Sequence, residues 1–152
     1  MVSRQFPFVS QSDQSECGAA ALAMVAASHG LPMAVTELRG LAVTDRDGTN
    51  LHNLKLAAER LGFTARYYKD GKFEFLGPVP LPAIVHTVTA GGLPHFVVLY
   101  RVNRRSVVVG DPAGNGIEKL SRKEFCERWT GVLMVLIKDG ELRRPAGSSI
   151  PL

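Results

Sequence analysis

One residue in this chain is a ready nucleophile. Cys17 stands in the run Gln11-Ser-Asp-Gln-Ser-Glu-Cys17-Gly-Ala-Ala-Ala-Leu-Ala-Met-Val-Ala-Ala-Ser-His-Gly30, where a polar loop gives way to a strongly apolar helix. A helix start favours negative charge and so a reactive thiolate. Downstream, His95 opens one strand-like run and Asp111 follows another. Taken singly, His95 reads as a strand histidine and Asp111 as a turn carboxylate before Pro112. Taken together, thiol, imidazole and carboxylate are the set for nucleophilic catalysis at an acyl carbon.

The sequence offers a geometric test of the last two. His95-Phe-Val-Val-Leu-Tyr-Arg-Val102 and Ser106-Val-Val-Val-Gly110 read as the arms of a hairpin with its loop at Asn103-Arg-Arg105. A loop centred on Arg104 sets His95 against Ala113 and Asp111 against Val97. A loop centred on Asn103 sets His95 directly against Asp111. Either register keeps both side chains on one face at the open end of the hairpin, whereas a one-residue slip separates them.

The elements that must position these residues follow from periodicity and punctuation. A helix is expected from about Cys17 to Ser28, apolar all round and so buried on most sides, stopped by Gly30 and Pro32. Short and longer helices are expected at Thr36–Leu41 and Leu51–Leu61, the latter closed by Gly62, with a turn at Asp45–Thr49 between them. Strands are expected at Phe63–Tyr68, Ala83–Val88, the two hairpin arms and Val132–Lys138; Lys72–Leu76 is ambiguous. Ser121-Arg-Lys-Glu124 is a capping box opening a helix to about Trp129. Helices in the first half and antiparallel strands in the second make the fold α+β, one domain over residues 1–138, with 139–152 as a linker or frayed tail.

Composition narrows the function classes. The chain has 152 residues, 45% hydrophobic and 21% charged, an ordinary globular balance with enough length for a core. The net charge of +4 is scattered, with only short clusters such as Arg104-Arg105 and Arg143-Arg144, so no nucleic-acid stripe emerges. The second cysteine, Cys126, reads as a small buried hydrophobe inside the capped helix, and a working thiol at Cys17 points to a reducing compartment. His29, His52 and His86 have no evident partners. No metal-ligand spacing, secretion signal, membrane-spanning run or phosphate-binding glycine loop is visible, so no cofactor or metal is expected.

The run from Gln11 through Cys17-Gly18, then Gly91-Gly-Leu-Pro-His95-Phe-Val-Val, then Val109-Gly-Asp111-Pro112 resembles the peptidase domains of bacteriocin-processing ABC transporters. Thr36-Glu-Leu38, Asp47-Gly-Thr49, Ala57-Ala58 and Phe125 with Trp129-Thr-Gly131 extend the resemblance over roughly residues 5–138. These domains are papain-like cysteine endopeptidases that cut leader peptides after a double glycine. The resemblance implies a helical half packed on an antiparallel sheet. It implies Cys17 as nucleophile, His95 as base and Asp111 as the group orienting the imidazole. It also implies that the side chain of Gln11 forms the oxyanion hole with the Cys17 backbone N–H; from the residues alone Gln11 is a plain loop glutamine. The acidic residue that often precedes the cysteine as Asp is Glu16 here, and a second helix cysteine is replaced by Ala21.

The implied function is removal of the leader from bacteriocin- or lanthipeptide-type precursors after Gly-Gly or Gly-Ala. The implied partners are that leader and the membrane and ATPase domains of a transporter, with no nucleic acid. The implied location is the cytoplasm, at the cytoplasmic face of the bacterial membrane. The residues of the leader groove are not assignable. A catalytically silent leader-docking domain is the alternative, which the presence of Cys17 opposes. A cysteine acyltransferase built on the same three groups would be told apart by transfer to an amine instead of water.

Overall fold

The computed structural model describes residues 6–42, 50–138 and 140–145. The expected turn at Asp45–Thr49 lies outside them. Among the described residues there are four α-helices and six strands: α1 (Cys17–Ser28), α2 (Val35–Leu41), α3 (Leu51–Leu61), β1 (Phe63–Tyr68), β2 (Ala83–Val88), β3 (Pro94–Val102), β4 (Ser106–Gly110), β5 (Ile117–Ser121), α4 (Arg122–Arg128) and β6 (Trp129–Lys138). Short 3-10 turns stand at Gln14–Glu16 and Phe73–Phe75, the second resolving the ambiguous stretch.

The helical half folds around α1. Ala19 to Ala26 are all within 1% of complete burial, as an all-apolar helix requires. Each large side chain there, such as Leu22 or Met24, contributes about 2 kcal/mol by leaving water. α3 buries Leu54, Ala57, Ala58 and Leu61 on one face. It ends at Gly62, whose φ of 111° is one that a side chain would strain.

The strands form one antiparallel sheet in the order β1-β6-β2-β3-β4-β5. It has a core on each side. Phe96, Val98, Tyr100 and Val108 face the helices, whereas Val97, Leu99, Val107 and Val109 face Phe73, Leu76 and Phe125. The helical half therefore packs on the antiparallel sheet as expected, with β1 carried across to the far edge beside β6.

Three local expectations are corrected. Ile117–Ser121, unassigned from sequence, is the edge strand β5, paired with β4. Cys126 is exposed, not buried, because α4 has seven residues and turns only Phe125 into the core. His86 has a partner: its Nδ1 lies 3.0 Å from Thr130 Oγ1. The described part of the tail is also held. Arg143 N–H donates to Leu61 O at 3.0 Å, Arg144 donates to Pro32 O at 2.8 Å, and Leu142 packs on the helical core.

Candidate active site

β3 and β4 set the first two groups. Next to the site, Val98 pairs with Gly110 and Leu99 with Val109, the register of a loop centred on Arg104. Nearer the tip, Arg101 pairs with Val108 and Val102 with Val107, so Tyr100 and Arg101 together oppose Val108 in a bulge. The bulge decides which face Asp111 takes. Carried on unbroken, the tip register would set Asp111 against Val98, on the helix-facing side. The bulged register sets it against Val97, on the face that alternation gives to His95. The outcome is direct contact: His95 Nε2 lies 2.6 Å from Asp111 Oδ1.

The helix brings the third group. Cys17 is the first residue of α1 and is 8% exposed. Gly110, just before Asp111, lets α1 come close: a Cβ there would lie 3.0 Å from both Met24 Sδ and the Tyr100 ring. Tyr100 in turn stacks on Phe6 and donates its hydroxyl to Pro7 O, fastening the leading segment beside the same strand.

The loop before Cys17 is tied to both ends of the hairpin. Gln11 N–H donates to Pro112 O at 3.0 Å, one residue past Asp111, and Gln14 Nε2 donates to Pro94 O at 2.9 Å, one residue before His95. Thus Cys17, His95, Asp111 and Gln11, spread over 100 positions of sequence, meet at one margin where the head of α1 reaches the sheet. Gln11 Oε1 is buried and has no hydrogen-bond partner.

Charge in this cluster is coupled. Burial pushes the His95 imidazole down, but the Asp111 hydrogen bond and the Cys17 side chain together outweigh it, and the pKa rises to about 9. The ring is 2% exposed, and with Nε2 taken by Asp111 its buried Nδ1 is the nitrogen left for the thiol. Burial pushes Asp111 up; the bond and charge of His95, the Ala113 N–H at 2.9 Å and the Arg128 guanidinium together hold it below its ordinary value. An imidazolium at neutral pH, buried between a carboxylate and a sulfur, is the partner a thiolate requires.

Two further residues complete the loop: Glu16, known from the sequence only as the acidic residue before the cysteine, and Arg39, which sequence reasoning passed over. The Glu16 carboxylate accepts the Ser12 N–H at 2.6 Å and pairs with Arg39 at 3.0 Å. Those two partners, Ser12 first, hold its pKa below the ordinary value against burial. A cavity of about 230 Å³ adjoins His95 and Asp111, with Thr87, Phe125 and Arg128 in its wall. A larger cleft of about 830 Å³ lies around the hairpin tip and holds none of the site residues. Among the described residues no cluster of His, Cys, Asp and Glu could hold a metal ion, and no helix is long and apolar enough to cross a membrane.

Solved structures share this architecture. The peptidase domain of Streptococcus ComA, a bifunctional ABC transporter involved in quorum sensing, superposes with a TM-score of 0.81 at 31% identity, over 88% of this chain and 99% of that one. A double-glycine-motif protease from an AMS/PCAT transporter, solved in complex with its leader peptide, gives 0.79 at 31% identity, over 88% and 92%. Fold and likeness define a papain-like cysteine peptidase. The chain belongs to the Peptidase C39 family, whose pattern matches residues 5–141. It is also 37% identical over 125 residues to the lactococcin-G-processing and transport ATP-binding protein LagD of Lactococcus lactis subsp. lactis. The match covers 82% of this chain but 18% of LagD, so the chain spans under a fifth of that relative's length.

Proposed function

We propose that this domain, residues 1–138, is an endopeptidase that removes the leader from bacteriocin- or lanthipeptide-type precursors after Gly-Gly or Gly-Ala. It works as the N-terminal domain of a peptide-exporting ABC transporter, at the cytoplasmic face of the membrane, with residues 139–152 leading onward to the membrane domain. The observation that carries the reading is the contact between His95 and Asp111 beside the head of the helix bearing Cys17. Likeness to a double-glycine protease solved with its leader supports the substrate class.

In this reading Cys17 Sγ, as a thiolate, attacks the carbonyl carbon of the last leader glycine. The carbonyl oxygen becomes an oxyanion, met by the Gln11 side-chain N–H and the Cys17 backbone N–H. The C–N bond then breaks. His95 gives its proton to the leaving amine, and a thioester remains. Water attacks the thioester, returns a proton to His95 and frees the leader carboxylate together with the thiolate. Asp111 keeps the imidazole oriented throughout. Glycines fit because their backbone approaches the sulfur with no Cβ in the way.

The test is incubation of the domain with double-glycine precursor peptides and measurement of the products by mass. A cut after the second glycine supports the reading. A peptide whose last glycine is valine should resist cleavage; equal cleavage of that peptide refutes the narrow site.

A further inference from the structure

The loop that carries Gln11 is fastened at three points. Two are the backbone and side-chain bonds to Pro112 and Pro94. The third is internal, buried and charged. Glu16 is 7% exposed; one of its oxygens accepts the Ser12 N–H at 2.6 Å and the other pairs with Arg39 NH1 at 3.0 Å. Ser12 directly follows Gln11, and Arg39 belongs to α2, which packs on α1. The carboxylate therefore clamps the chain immediately beside Gln11 to the helical half. A buried carboxylate keeps its charge only when hydrogen-bonded and paired, and both conditions are met.

We propose that Glu16, with Arg39 as counter-ion, is a positioning residue for the oxyanion site: it fixes Gln11 through the Ser12 N–H. The inference rests on the oxyanion role given to Gln11 under the proposed function. Glu16 touches no reacting atom. Its effect falls on a donor that matters most once the oxyanion has formed, so its loss lowers kcat and leaves KM in place.

A chemical control isolates this role. Alkylation by iodoacetamide forms an S–C bond at a saturated carbon with loss of iodide and creates no oxyanion. It reads the Cys17–His95 pair without the hole. Because Cys126 is exposed, the assay is run on the full chain carrying Cys126→Ser.

On that background Glu16→Gln is expected to lower kcat about 10–100-fold, the range between misplacing a donor and removing it. KM and the Cys17 alkylation rate should stay unchanged. Glu16→Asp, which keeps the charge, should recover most of the lost rate. Adding Glu16→Gln to Gln11→Ala should cost little more than Gln11→Ala alone, because both act through one donor.

An undiminished kcat in Glu16→Gln overturns the proposal. So does a matching fall in alkylation, which would make Glu16 a general support of the nucleophile, and so does full additivity with Gln11→Ala. A Gln11→Ala variant with normal kcat refutes instead the oxyanion role on which the inference rests. Should Glu16→Gln fail to fold, Arg39→Met, which removes the counter-ion alone, serves in its place; a normal kcat there also overturns the proposal.

Discussion

His95 and Asp111 touch at 2.6 Å although the ladder between their strands ends before either residue is reached. The bulge at Tyr100 and Arg101 is what puts them on one face. Without it the tip register, carried on unbroken, would have turned Asp111 toward the helices and left the imidazole without its carboxylate.

The residue count along β3 should therefore decide whether the site forms. Deletion of Arg101 only flattens the bulge: Tyr100 then pairs with Val108 and Val97 still faces Asp111, so activity should be retained. Insertion of one alanine after Arg101, with the one-residue bulge kept, sets Asp111 against Val98; far-UV circular dichroism should stay near that of the parent while kcat/KM falls about 100-fold or more. Normal turnover by the insertion variant would show that the register does not set the pair.

The two cysteines should behave in opposite ways. Cys17→Ala is expected to lower turnover by about 10³-fold or more with the melting temperature little changed. Cys126→Ser should leave turnover intact, since that thiol is exposed and lines a pocket with Asp70, Trp129 and Gly131 that holds none of the site residues. Mass-resolved labelling checks the assignment. Loss of activity that follows modification of Cys126 in place of Cys17 would contradict it.

Much of this arrangement is legible in the sequence because its signals are local. The bounds of α1 follow from a polar loop, an unbroken apolar run and Gly30, and the hairpin arms from β-branched runs about a short basic loop. The bulge leaves no such trace: Tyr100 and Arg101 are ordinary strand residues, and only pairing with Val108 reveals the extra one. β5 was illegible because Ile117–Ser121 is an exposed edge with two charged residues, carried by its ladder to β4. Cys126 misled because a seven-residue helix shows one narrow stripe to the core, and Phe125 fills it. The Glu16–Arg39 pair joins residues 23 apart, from the turn before α1 to α2, a contact with no sequence period behind it.

The pH dependence follows from the raised His95 pKa. The folded protein holds this proton more tightly than the unfolded chain, whose ordinary value is 6.5. The stabilisation is full below about that value and is lost as pH rises through about 9. The alkaline limb of kcat/KM should fall in the same region, where the imidazolium loses its proton. Asp111→Asn removes the carboxylate that supports the charge, so the limb should move to lower pH and the maximum rate should drop. A limb that stays in place in Asp111→Asn would mean that the carboxylate does not govern the imidazole.

The most direct measurement is an NMR titration of the His95 ring in isotope-labelled protein, once with Cys17 intact and once as Cys17→Ala. The account predicts titration near pH 9 in the parent and a lower value in the variant, because the Cys17 side chain is one of the groups holding the proton on. A ring that titrates near 6.5 in both proteins would contradict it.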